Sequence, residues 1–271
     1  MENIYSLIRS RRSVRTFEDS PLSQEHLDLL CSFMAKIENP YEIPVEFQLL
    51  DAKEKDLKSP VLNTVPYFLA AKVKRLPHAE EALGYSLEML VLYAHSLGVG
   101  TVWIGGTMDR GAFERAVHLT SDERMPCISP LGYPAAQMSL RETMMRKGVK
   151  ADSRNSFTEL FFDGSFQKPL TETEAGNLRE VLEAVRWAPS AVNKQPWRLL
   201  RDGNAVHFYE KKSKGYVSDA VGDMQKIDIG IALCHFAMAA QESGLTLRFE
   251  IQDPGFPVEA DTEYIASYHI D

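Results

Sequence analysis

Four arginines stand within the seven residues "RSRRSVR" near the start of the chain: Arg9, Arg11, Arg12 and Arg15, with Ser13 among them. A guanidinium is a planar fork that can donate two parallel hydrogen bonds to an anion, so a cluster this dense matches phosphate geometry. The Ser13 hydroxyl adds a donor. The same residues would also make a solvated basic face, and the stretch alone leaves both readings open. A second stretch, "APSAVNKQPW" at residues 188–197, suits a flat ring. Pro189 and Pro196 fix the chain, while Ala188, Ser190 and Ala191 keep the surface small. Asn193 and Gln195 carry amide donors and acceptors for the polar edge of a heterocycle. A helix stop followed by a strand explains the prolines but leaves the Asn and Gln without a task. In "TVWIGGTMD", residues 101–109, Gly105 and Gly106 can present backbone N–H groups to a ligand, or simply turn the chain.

No nucleophile or general acid stands out, and no catalytic residue is assigned. The seven histidines are scattered; His95 and His235 fall on apolar helical stretches and read as core histidines. No GxGxxG indicates a dinucleotide fold. Cys31, Cys127 and Cys234 are far apart, without metal-ligand or CxxC spacing, so neither a metal site nor a disulfide is expected.

The elements that must position these residues read as follows. Ile4, Leu7 and Ile8 form a helical stripe just before the arginines. "PLSQEHLDLLCSFMAKIENP", residues 21–40, resembles "PLTETEAGNLREVLEAVRWAP", residues 169–189. Each opens with Pro-Leu, a Ser or Thr able to cap a helix, and early acidic residues. "GYSLEMLVLYAHSLG", residues 84–98, is echoed by "GIALCHFAMAAQESG", residues 230–244, and both read as buried helices closed by glycine. Strand-like runs lie between the echoes: "VEFQLLDA" with "YFLAAKVK", and "WRLLRDG" with "AVHFYEK". The repeat predicts two related α+β halves fused head to tail, residues 1–163 and 164–271. The arginine and Gly-Gly segments belong to the first half and the Ala-Pro-Ser segment to the second.

The composition is that of a soluble globular chain: 271 residues, 44% hydrophobic and 25% charged, with a net charge of −8. That charge argues against a general nucleic-acid or membrane-surface binder. The start of the chain has no apolar signal core, and no apolar run is long enough to span a bilayer, so a cytoplasmic protein is expected.

Taken together, "RRSVRTF", "PLSQEHLDLL", "LGVGTVWIGG", "LGYPA" and the displaced "APSAVNKQPW" resemble the FMN-dependent nitroreductase family over most of the chain. That family is usually a homodimer with FMN at the interface, the arginine segment from one subunit and the Ala-Pro-Ser segment from the other. This chain is similar to a fused branch in which gene duplication lets one polypeptide imitate the dimer. The resemblance implies a three-layer α+β fold with a long central helix in each half, one FMN per chain and a monomer. It places Arg11, Arg12 and Ser13 on the FMN phosphate and ribityl, and Arg15 toward the N1/O2 edge of the ring. Arg154, in "DSRNSFTELFF", becomes a second phosphate arginine. Asp152 stands where some members have a lysine, and Lys147 or Lys150 would compensate. Pro189, Ser190, Ala191 and Asn193 would pack on the ring from the other half, and Gly105 and Gly106 would face N5. Thr107 follows where the family usually has phenylalanine or glutamate. The implied activity is ping-pong reduction of a small-molecule acceptor, a nitroaromatic, quinone or similar flat compound, by NADH or NADPH. A dehalogenating or flavin-fragmenting enzyme of the same fold, or a non-catalytic FMN-binding sensor, are the alternatives.

Overall fold

The computed structural model describes residues 3–63 and 65–271, so the first two residues of the first half, Met1 and Glu2, lie outside the described residues. Helix α1 (Ile4–Ser10) buries Ile4, Leu7 and Ile8 and delivers the arginine run at its C-terminal end. In α2 (Gln24–Met34) the Ser23 side chain caps the helix by accepting from the His26 N–H. Strands β1 (Val45–Asp51) and β2 (Tyr67–Lys74) pair antiparallel and lead into α3 (Ala79–Ser96). Then come α4 (Arg110–Ala116), β3 (Glu123–Arg124), β4 (Ile128–Leu131), α5 (Leu140–Gly148), α6 (Phe157–Leu160) and β5 (Phe161–Asp163).

The second half runs through α7 (Glu172–Ala175), α8 (Arg179–Arg186), β6 (Trp197–Asp202) and β7 (Ala205–Lys211). A short hairpin, β8 (Val217–Ser218) and β9 (Gly222–Asp223), precedes α9 (Met224–Glu242), β10 (Leu247–Glu250) and β11 (Thr262–Ile270). All four strand-like runs of the sequence are strands. The helix read over residues 169–189 is interrupted: α7 ends at Gly176, where φ is +59°, and a 3-10 turn leads into α8.

The architecture is α+β, with two main sheets, the separate β8-β9 hairpin, and a helical layer between the main sheets. In the first sheet β2 lies between β1 on one side and β3 and β4 on the other. Residues 100–104 extend it through bridges of Gly100 to Gly132 and Ile104 to Ile128, and Ser13 runs parallel to Thr101 at its rim. The second sheet has the order β10-β11-β7-β6-β5. Helix α3 packs on β1 and β2, α9 packs on β6, β7 and β10, and the two helices pack on each other. One core runs through all of these layers, from Leu69 and Leu87 to Leu233 and Phe208.

The crossing of α3 and α9 is a reciprocal contact. A Cβ on Gly84 would lie 2.1 Å from the carbonyl oxygen of Ile227, and a Cβ on Gly230 would lie 2.1 Å from that of Glu81. Gly230 follows Gly84 by 146 residues, and Ile227 follows Glu81 by the same step. Each helix presents the same pair of positions to the other, as the two sides of an isologous contact do.

One strand crosses between the halves. β5 runs parallel to β6, Phe161 facing Leu199 and Asp163 facing Arg201, so the chain up to Asp163 already contributes to the second sheet. The core also has a polar defect. Glu210 is 1% exposed, and neither carboxylate oxygen has a hydrogen-bond partner; the indole N–H of Trp197, directly across the strand pair, lacks one too. Burial, then the neighbouring Asp223, push the Glu210 carboxyl up to about 7.

Two tests follow from this packing. Gly84→Ala has no room at the crossing, and either it or Gly230→Ala should cost about 3 kcal/mol in chemical denaturation. For Glu210, a raised folded pKa means that the unfolded chain releases its proton first, near the ordinary 4.5. Stability therefore falls as pH rises from there to about 7 and stays lower above it. Glu210→Gln should raise Tm at pH about 8, and the gain should fade as pH falls through that window.

Candidate functional site

After α1 the chain extends along residues 100–104, with the Val14 N–H donating to the Thr101 carbonyl at 2.8 Å. This pairing fixes where each arginine points. The Arg11 side chain is 6% exposed, and its Nε lies 4.0 Å from Glu88 Oε1 without a hydrogen-bond partner. Glu88 is fully buried in α3 and is held from other directions: Trp103 Nε1 donates to it at 3.0 Å, and His235 Nε2 lies 3.0 Å away. The other ring nitrogen of His235 donates to the Ala184 carbonyl at 2.9 Å. His235 is a core residue. His95 is only half-buried and meets Ser10 at 2.9 Å, so the expectation of a core position fails there.

Arg12 is committed to the protein. It pairs at 2.7 Å with Glu142, a fully buried residue of α5 that also accepts from the Arg15 N–H and the Thr16 hydroxyl. Arg12 is therefore placed to hold the loop in shape rather than to reach a ligand freely. The Arg15 guanidinium makes no hydrogen bond among the described residues. Burial lowers its pKa, Glu142 opposes that, and Arg146 lowers it further.

Arg146 is the residue that the sequence reading missed. It stands one helical turn beyond Glu142 on α5, a spacing that puts both on one face. It pairs with Asp152, the acidic residue that stands in the place of a lysine. Its charge also lowers the pKa values of Arg11, Arg15 and Arg154. Arg154 lies over the Trp187 ring at 4.7 Å, with Arg9 over the same ring at 4.5 Å. It donates to the carbonyls of Ala151, Ser153 and Trp187, yet its Nε is buried and unbonded. Burial first, then Arg11 and Arg186, push Arg154 down to about 10.

Arg11, Arg15, Arg146 and Arg154 thus converge with too little negative charge among them, and two of their buried Nε donors have no acceptor. An unbonded charged donor out of water is costly. An anion with several acceptor oxygens would satisfy both donors and relieve the mutual repulsion. A phosphate monoester fits that description.

The Ala-Pro-Ser segment meets this cluster from the second half. Ser190 Oγ accepts the Gln195 N–H at 2.9 Å, and the Ala191 N–H donates to the Asp228 carboxylate at 3.0 and 3.1 Å. Val192, Asn193 and Gln195 all have φ between +44° and +59°, a costly conformation for residues with side chains. The amides do not face outward. Asn193 Nδ2 donates to the carbonyls of Lys150 and Ser153, its Oδ1 lies 3.5 Å from Arg154, and Gln195 Oε1 accepts the Asn155 N–H. Backbone groups of residues 150–155, left without helical partners beyond α5, take up the amides expected to meet a heterocycle. Pro189, Ser190 and Ala191 remain partly exposed beside them.

Gly105 and Gly106 do not use a left-handed backbone. Gly105 gives its carbonyl to Arg110 at 2.8 Å and sits against the Met224 side chain, while Gly106 has open space beside its Cα. The first turns of α9 therefore touch both the Gly-Gly and the Ala-Pro-Ser segments, Met224 at Gly105 and Asp228 at Ala191. Asp228 is buried, and burial holds its carboxyl well above the usual carboxylate range. No sequence pattern singles it out, because its partner is a backbone N–H brought in by the fold.

A family model described as "Putative TM nitroreductase" matches residues 3–240. A protein of Methanothermobacter thermautotrophicus named "Putative NADH dehydrogenase/NAD(P)H nitroreductase" is 26% identical over 164 residues, 52% of this chain and 82% of that protein. A crystal structure of a "putative nitroreductase" from Thermotoga maritima superposes with a TM-score of 0.62, covering 99% of this chain and 94% of the other. At 19% identity that likeness is one of fold.

The Asn193 contacts make a direct test. Asn193→Ala removes one donor from each of the Lys150 and Ser153 carbonyls, which keep Ser153 and Arg154 as their other donors, and should cost about 1 kcal/mol in urea denaturation. Limited trypsin digestion at Lys150 and Arg154 should speed up in the same variant. Asn193→Gly, which tolerates the positive φ, should recover only the backbone part of the loss.

Proposed function

The chain belongs to the family described as "Putative TM nitroreductase", and from that premise we propose an FMN-dependent NAD(P)H oxidoreductase acting on a flat acceptor such as a nitroaromatic or quinone. The observation that carries the proposal is the group of converging arginines with two buried, unbonded Nε atoms, on Arg11 and Arg154. In this reading Arg11, Arg154 and Arg146 hold the phosphate, with Ser13 beside them. Arg12 acts through Glu142 to set the course of the loop. Arg15 supplies a fixed positive charge beside the ring, where a buried cation favours a reduced, negatively charged flavin. Pro189, Ser190 and Ala191 offer a small surface for the ring, Asn193 holds that turn on Lys150, Ser153 and Arg154, and Gly105 and Gly106 line the opposite side. When bound, FMN supplies the redox chemistry, taking hydride from NADH or NADPH and passing electrons on to the acceptor. The name of the Methanothermobacter relative supports the choice of reductant.

The reading includes a single site per chain in a pseudo-dimeric monomer. It is supported by the reciprocal glycine contact and by the presence of one arginine segment and one Ala-Pro-Ser segment in the sequence. Among the described residues no helix is long and apolar enough to cross a membrane, and the acidic net charge of −8 gives no reason to invoke nucleic acid.

Reconstitution tests the assignment. The protein should take up FMN as a yellow complex, about one per chain, that NADPH or NADH bleaches. Arg154→Met and Arg11→Ala should weaken FMN about tenfold to a hundredfold, since a charge-assisted bond is worth about 1.5–3 kcal/mol. Riboflavin, which lacks the phosphate, should be held equally by variant and parent. Equal losses for the two ligands would place the arginines elsewhere, and two FMN per chain would overturn the single-site reading.

A further inference from the structure

The two sheets differ at one edge. In the second sheet β6 is paired on both sides, antiparallel to β7 and parallel to β5. The buried side chains of Phe157, Leu160 and Phe161 fill the space beside it, and α6 packs against both β6 and α8. In the first sheet β1 pairs with β2 and, among the described residues, with no strand on its other side. Helix α2 and β1 hold the places in the first half that α8 and β6 hold in the second, each pair following a Pro-Leu start. Where the second half has α6 and β5, the first has a groove of about 870 Å³ between the end of α2 and the start of β1.

The groove mixes apolar and polar lining and is acidic at its rim. Met34, Ile37, Ile43 and Phe47 line it, and its charged lining residues are Glu38, Glu42 and Glu46, all exposed; Glu46 is paired with Lys72 of β2 at 3.3 Å, which leaves Glu38 and Glu42 as the rim charges open to an occupant. Unpaired backbone groups along a sheet edge accept an extended segment, with neighbouring pockets selecting its side chains. The glutamates work against a second copy of this chain, because edge-to-edge pairing would bring like charges together.

We propose that this groove docks an extended segment of a partner protein, apolar at its centre and flanked by lysine or arginine, which adds to β1 as a parallel strand. The molecule carries its own template: β5 adds to β6 in that manner, with Phe157, Leu160 and Phe161 as the inserted side chains. The acidic rim changes the charge that the occupant must carry. This docking site is independent of the flavin reading, and its test does not involve the cofactor.

The probe is a peptide of residues 156–164 with Glu159→Lys and Asp163→Lys, labelled for fluorescence anisotropy and added to the full chain. Saturable binding at one peptide per chain is expected, weakened by raised salt. Glu38→Lys with Glu42→Lys should reduce affinity about tenfold, as two rim charges are reversed. Ala35→Trp, which fills the exposed end of the groove, should abolish binding. Cys31 gives the location: it lines the groove and is exposed, whereas Cys127 and Cys234 are buried. Bound peptide should slow its alkylation by maleimide. Binding that leaves Cys31 unprotected, or that ignores both variants, overturns the proposal, as does the absence of saturable binding. A concentration-dependent dimer that shields Cys31 in sedimentation would also overturn it, by assigning the groove to a second copy.

Discussion

The approach of α3 to α9 is the constraint from which the rest of the structure takes its dimensions. Backbone meets backbone at Gly84 and Gly230, and no side chain separates the helices there. That spacing sets the distance between the two sheets and brings polar residues of each helix within reach of the opposite half. Glu88, one turn beyond Gly84, meets His235 on the other helix. Asp228, just before Gly230, meets the Ala191 N–H. A wider crossing would part both pairs, and the arginine loop and the Ala-Pro-Ser turn would lose the supports beneath them.

The electrostatics of the site follow from how few acids are buried near it. Glu142 is spent on Arg12 and the loop backbone, and Glu88 is shared among His235, Trp103 and the more distant Arg11. Asp152 answers Arg146 from an exposed position, where its effect is weakened by solvent. Arg15 and Arg154 are left with no carboxylate of their own. A chain with net charge −8 thus keeps a positive, largely desolvated centre, an arrangement that costs folding energy and gives an arriving anion its advantage.

The layout of the fold was legible because it rests on local signals. Apolar periodicity and Pro-Leu or glycine punctuation marked both central helices and four strands. The arginine run and the Ala-Pro-Ser turn were legible as candidate contacts; Arg154, which lies outside that run, is the arginine that meets Asn193 of the turn. What each side chain does was less so. Asn193 looked like a ligand group because its amide is unexplained in sequence; in space it closes the backbone of residues 150–153. Arg12 looked equivalent to Arg11 until Glu142, 130 residues away, claimed it. Arg146 carried one signal, its spacing from Glu142, and that spacing acquires meaning only when Arg12 is known to sit beside it.

The crossover of β5 also bears on the order in which the protein is made. Synthesis proceeds from the N-terminus, so Phe157, Leu160 and Phe161 emerge before β6, the strand that will cover them, exists. For the time taken to translate the next forty or so residues, at about 5–20 residues per second, these apolar side chains lack the strand that they pack against. The first half cannot complete its burial alone, and the nascent chain carries a sticky end until the second half arrives. A long-range strand pairing of this kind couples the maturation of one half to the synthesis of the other. It makes the interval between residues 163 and 202 the point in biosynthesis at which a pause, or a chaperone, has most influence on the outcome.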